Sequence, residues 1–158
     1  MKKLNYIKNP IKMDLSMASG LSGKLLEYIN INSFNFDKEK NECSCIIIPK
    51  KECFNKNKIF DKGLLIAIAD TFSSYVVKYL CPDEDFKQFL SVRILFTSYQ
   101  NIVETLYNQM KMVVSLTDKK DRDILLYIEI LYPKNKTLAH LNHFKRKLNH
   151  NYYSCSIG

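Results

Sequence analysis

Residues Gly63–Leu80, GLLIAIADTFSSYVVKYL, form the stretch that most limits what this chain can become. It is apolar on every side of a helical wheel, ends at Cys81-Pro82, and carries an aspartate near its middle. A helix apolar all round belongs inside a fold, and proline after its end is a stop signal. The stretch is barely long enough to cross a bilayer. Asp70 alone would cost roughly 2.5–3.5 kcal/mol there, and Thr71, Ser73, Ser74 and Lys78 add to the cost. The expectation is a buried helix of a soluble domain, with no membrane span. A lone carboxylate in such a place must be paired, hydrogen-bonded or protonated. On a helix Asp70 shares a face with Ser73 and Ser74, and with Ile66 and Ala67 behind it. A polar network that merely fixes helix packing and a working carboxylate both fit that stripe.

The flanking segments read as strands. Ser16–Asn30 is a short amphipathic helix, with Leu21, Leu25 and Ile29 four apart. Ile31–Phe36 and Cys43–Ile48 alternate and bracket a charged turn, which predicts a hairpin. Lys50–Asp61 is a polar loop holding Asn55, and Asp83–Lys87 an acidic connector. Beyond it, strands are expected over Leu90–Thr97, Tyr107–Leu116, Ile124–Tyr132 and Thr137–Leu148. Turns are expected at Asp118–Asp123 and Pro133–Lys136. Helix, two strands, long buried helix, then antiparallel strands: this is an α+β order, one sheet wrapped around one helix. With 158 residues, 46% of them hydrophobic, the chain suits one domain with a sizeable core. It divides into an N-terminal segment (1–28), a main domain (29–150) and a C-terminal tail (151–158).

Net charge is +8, which favours an anionic partner. The basic residues are scattered, the densest run being Lys145-Arg146-Lys147. No recognition helix or aromatic RNA-binding signature accompanies it, so nucleic acid is not the expected partner. The five cysteines, Cys43, Cys45, Cys53, Cys81 and Cys155, are an odd set without a secretory signal and read as reduced thiols. Cys43 and Cys45 have no second pair at zinc spacing. His140 and His143, three apart on a strand, point to opposite faces. No metal and no cofactor is expected. Met1–Met13 is basic, with no acid before Asp14 and no long apolar core. It is not a secretory signal. The expected location is the cytoplasm, with an organelle address left open.

Four short motifs in this order carry a resemblance. Asp61-Lys62-Gly63 opens the long helix, Leu64–Ala69 leads to Asp70, Asn55 stands in the loop before it, and Ser91-Val92 starts the strand after it, with Thr97 toward that strand's end. From about Ile29 to Leu148 the chain resembles the hotdog-fold acyl-CoA thioesterases, in particular the group of thioesterase superfamily member 2 and the phenylacetate-pathway enzymes. The family's His-Gly-Gly-type turn reads Asp61-Lys62-Gly63 here. The resemblance implies a hotdog fold and hydrolysis of acyl-CoA thioesters in fatty acid metabolism. It casts Asp70 as general base or nucleophile, and Ser91 as the group that positions water. It also implies that backbone N–H groups of Lys62 and Gly63 receive the thioester oxygen, and that Asn55 orients substrate or water. Asp61, Ser74 and Thr97 fall on the substrate side. The Ser74 and Ser91 hydroxyls would donate to the Asp70 carboxylate, while the Lys62 side chain turns to solvent or a CoA phosphate. The family site is shared across a homodimer, so a dimer or tetramer is expected. The alternative is a hotdog protein that binds acyl-CoA or another acyl carrier without hydrolysing it.

Overall fold

The computed structural model describes residues 20–85, 88–104, 109–132 and 136–148. A short helix α1 (Gly20–Leu25) and a 3₁₀ turn (Leu26–Tyr28) lead into β1 (Ile29–Asp37) and β2 (Glu42–Ile47). The central helix α2 (Lys62–Leu80) follows, then β3 (Phe89–Tyr99), β4 (Met110–Lys120), β5 (Asp123–Tyr132) and β6 (Lys136–Lys147). The six strands form one antiparallel sheet in the order β1-β2-β4-β5-β6-β3.

The expected α+β architecture is present, with local differences. The first helix ends sooner than the periodicity of Ser16–Asn30 suggests, at Leu25, and residues 16–19 lie outside the described residues. The chain turns extended at Ile29, where Ile29 and Asn30 pair with Ile47 and Ile46 of β2. The hairpin β1–β2 turns at Asn41, in the left-handed region at φ 51°. Asp37 Oδ1 accepts from the N–H groups of Glu39 and Lys40 inside that turn. The charged segment Asp118–Asp123 is mostly strand. Only Asp121 and Arg122 turn, because Asp118, Lys119 and Lys120 pair with Leu125, Ile124 and Asp123. Residues 105–108 and 133–135, where a strand start and a turn are expected, lie outside the described residues, as do 149–158.

Alternation then builds the core. Cys43, Cys45 and Ile47 of β2 face the helix with Met110, Met112 and Val114 of β4 and Ile124, Leu126, Ile128 and Ile130 of β5, all buried. From α2 they meet Leu65, Ile68, Phe72 and Val76. By length and composition α2 could cross a membrane, yet 56% of that window is buried inside the fold. The helix is not buried on all sides, as its sequence suggests. Ile66, Ala67, Asp70, Ser74 and Lys78 form a stripe that is only half covered. Asp70 lies on that open stripe, which removes much of the desolvation penalty its setting implied.

Candidate active site

Asp61 starts α2: its carboxylate accepts from the Leu64 N–H at 2.7 Å, an N-cap. Gly63 makes room for it, since a Cβ there would stand 3.2 Å from Asp61 Oδ1. The N–H groups of Lys62 and Gly63 have no intrahelical acceptor, as at any helix start. Lys62 is exposed, as expected of a side chain turned to solvent, and its ammonium also has a partner in the fold. It lies over the Tyr99 ring, 4.3 Å from the centroid.

Two turns along α2, the Asp70 carboxylate meets two strands. Ser91 of β3 donates to Oδ1 at 2.7 Å. His143 of β6 places Nε2 at 3.1 Å from the same oxygen and 2.9 Å from Ser91 Oγ. Oδ2 has no hydrogen-bond partner among the described residues, and the side chain is 40% exposed. One oxygen is therefore held and the other is open.

Ser91 can do this because of a bulge. It pairs with Lys145, while Arg93 pairs with Phe144, so Val92 is an extra residue in the edge strand. The insertion lets Ser91, Ile94 and Phe96 all pair with inward-facing residues of β6. Without it, Ser91 and Ile94 would point to opposite faces.

Around this contact lies a polar cluster that sequence reasoning only half found. The Ser73 hydroxyl lies 2.6 Å from the Ala69 carbonyl oxygen and 2.7 Å from His143 Nδ1. Ser74 does not donate to the Asp70 carboxylate. Its hydroxyl bonds back to the Asp70 backbone carbonyl at 2.7 Å, the usual reach of a helical serine. The Lys145 ammonium donates to Ser74 Oγ at 2.8 Å and to Ser91 Oγ at 3.0 Å.

The His143 hydrogen bond, then Ser91 and the charges of His143 and Lys145, hold Asp70 below its ordinary range against the opposing effect of burial. Burial holds His143 below the ordinary imidazole value, only partly countered by Asp70. Burial likewise brings Lys145 down to about 8. At neutral pH this leaves a carboxylate, a neutral imidazole donating through Nε2, and an ammonium. An imidazole without a proton on Nε2 would set a lone pair against a carboxylate oxygen.

The remaining expected residues lie elsewhere. Thr97 is six residues along β3 from Ser91, roughly 20 Å at strand rise. Among the described residues its hydroxyl makes one long contact, 3.4 Å, to the His140 carbonyl. Asn55 is exposed, and its Oδ1 accepts from the Asn57 and Ile59 N–H groups at 2.8 and 3.1 Å. It organises its own loop, leaving Nδ2 as the group that could face a ligand. No hydrogen bond joins Asn55 to Asp70 among the described residues. His140 and His143 face opposite sides, as their spacing predicts: His143 is fully buried and His140 lies against Tyr127. The basic run 145–147 is no patch: Lys145 is buried, Arg146 pairs with Asp123 and Lys147 with Glu84. Alternation along β6 could have placed His143 and Lys145 on the inner face. Nothing in the sequence says that this face meets Asp70.

No family model matches the chain, and no curated protein does. Solved structures do. A thioesterase of Haemophilus influenzae superposes with a TM-score of 0.61 at 12% identity, over 78% of this chain and 82% of its own. The PaaI protein of the E. coli phenylacetic acid degradation operon gives 0.55 at 12%, over 70% and 75%. A hypothetical thioesterase of Streptococcus pneumoniae, solved with coenzyme A, gives 0.58 at 10%, over 68% and 82%. The chain has the hotdog fold. In this hotdog domain the long helix and the wrapping sheet are the shared elements. At these identities the likeness carries the fold and not the chemistry, which rests on the Asp70 cluster.

Proposed function

We propose that this hotdog protein hydrolyses acyl-CoA thioesters, with Asp70 as the catalytic carboxylate. One observation carries the reading: Oδ1 is held by Ser91 and His143 while Oδ2 stays open on the half-covered face of α2. A carboxylate so oriented can take a proton from water attacking the thioester carbonyl, or attack that carbonyl itself. The leaving group is the coenzyme A thiolate. The chain's positive charge suits a substrate that bears several phosphates.

The developing oxyanion needs donors, and the free N–H groups of Lys62 and Gly63 are the candidates. They stand seven to eight residues before Asp70, roughly 10–12 Å along the helix axis. One chain cannot bring both to one carbonyl, so the reading requires a second copy, its helix start facing this Asp70. The long β3 edge, with Leu90 and Val92 exposed, offers a place for such pairing. Asn55 would join from the second copy through Nδ2.

The binding-only alternative has one observation of its own. Asp61, which stands where the family has histidine, spends its carboxylate on capping α2 and offers no donor to a thioester.

The test is to incubate the protein with acyl-CoAs of several chain lengths and follow free thiol. Release that disappears in Asp70→Asn supports hydrolysis. Saturable binding without release supports the alternative. Sedimentation showing only an 18.5 kDa species at working concentration would remove the shared site.

A further inference from the structure

Lysine is rarely buried without a task, and Lys145 is 3% exposed. It occupies an inward position on β6, following Leu141 and His143. Its neighbour across β5 is Ile124, and His143 has Leu126. The ammonium has three donors and no acceptor. Two donors are used on Ser74 Oγ and Ser91 Oγ. Both serines pass the contact on to one residue: Ser74 donates to the Asp70 carbonyl and Ser91 to Asp70 Oδ1. Lys145 therefore ties α2 to the edge strand on either side of Asp70.

We propose that Lys145, as an ammonium, is the positioning residue of this site, clamping Ser74 and Ser91 so that Asp70 keeps Oδ1 occupied and Oδ2 turned toward substrate. In its kinetic form this rests on the thioesterase reading. The clamp itself does not.

The chemistry sets a direction. A neutral amine carries a lone pair and competes for the Ser91 proton. Ser91 would then donate to Nζ, and Asp70 Oδ1 would lose its closest donor. Burial brings this change into reach, at about 8. The groups facing Lys145 are Asp70 from α2 and the neutral His143 beside it on β6. The serines from α2 and β3 are uncharged, β5 presents Ile124, and the nearby Asp123 is held by Arg146. The clamp is lost as pH rises through about 8, so turnover falls there. A lysine acting as general base would produce a rise instead.

The experiment has two readouts on the full chain. In kinetics, wild-type kcat falls above about pH 8 with KM little changed. Lys145→Met lowers kcat about tenfold or more at neutral pH and abolishes the alkaline fall. A rate that rises with pH, or a variant that keeps wild-type kcat and pH profile, overturns the proposal. In carbon-13 NMR without substrate, the Asp70 carboxyl resonance of the wild type shifts as the Lys145 ε-carbon titrates, and in Lys145→Met that shift is gone. Independent titration of the two groups overturns the clamp, even if the variant does not fold. If the wild type releases no thiol from any acyl-CoA, the thioesterase reading fails, and the NMR coupling alone decides on Lys145.

Discussion

The inner face of the sheet has two halves built by the same rule and filled differently. On β2 and β4 the inward positions are Cys43, Cys45, Ile47, Met110, Met112 and Val114, all apolar and almost wholly buried. On β6 and β3 the corresponding positions include His143, Lys145 and Ser91, facing Asp70, Ser73 and Ser74 of α2. The helix is divided to match, with Phe72 packed edge-on against Phe34 of β1 on its apolar side. Alternation and burial alone would be satisfied by valine or isoleucine in either half. The polar half carries a desolvation cost that the apolar half avoids. It meets that cost with complete pairing: among the described residues no buried side-chain polar atom lacks a partner. Such an arrangement holds one carboxylate in one orientation, which packing does not need.

Substitutions in each half should separate their roles. The largest effect is expected at Asp70→Asn. Asparagine keeps the shape but is neither base nor nucleophile, so thiol release should drop by roughly 10²–10⁴-fold with the melting temperature nearly unchanged. A variant that loses the fold instead would mean that the polar half is structural. Next comes the apolar half. Ile128→Ala removes buried methyl groups from β5 and should cost about 2–5 kcal/mol in thermal or denaturant unfolding, while kcat per folded molecule stays at the wild-type value. A matching fall in kcat would join the two halves functionally.

The smallest effect is on stability at Lys145→Met. A buried methionine lacks the desolvation cost of the ammonium, so the variant should melt modestly higher at neutral pH. The folded lysine titrates lower than the unfolded one, about 8 against 10.5. Between those values the unfolded chain binds more protons, and the wild type gains stability as pH rises. The variant's advantage should therefore shrink across that window. A gap that stays constant from neutral to alkaline pH would mean that Lys145 titrates normally. Activity and stability of the wild type thus move in opposite directions through this one group.

Much of this molecule is written in local sequence. The apolar run 63–80 names the central helix and places Asp70 on one stripe with Ser74. Alternation names the strands, and the turn residues around Asn41 and Asp121 join neighbours into hairpins, because each of these signals involves residues a few positions apart. Charge composition misleads where contacts are distant: the run 145–147 reads as a basic cluster, yet its members point to different faces and partners. Which strands become neighbours across long gaps was decided in three dimensions. β4 joins β2, and β3 crosses to the far edge beside β6. That second choice brings Ser91 and Lys145 opposite each other, 54 residues apart. The Val92 bulge then aims Ser91 inward. Asp70 was legible because a carboxylate in an apolar helix is conspicuous within its own segment. His143 and Lys145 were not, because a polar residue on a strand becomes a partner only when the packing of the other strands supplies the group it faces.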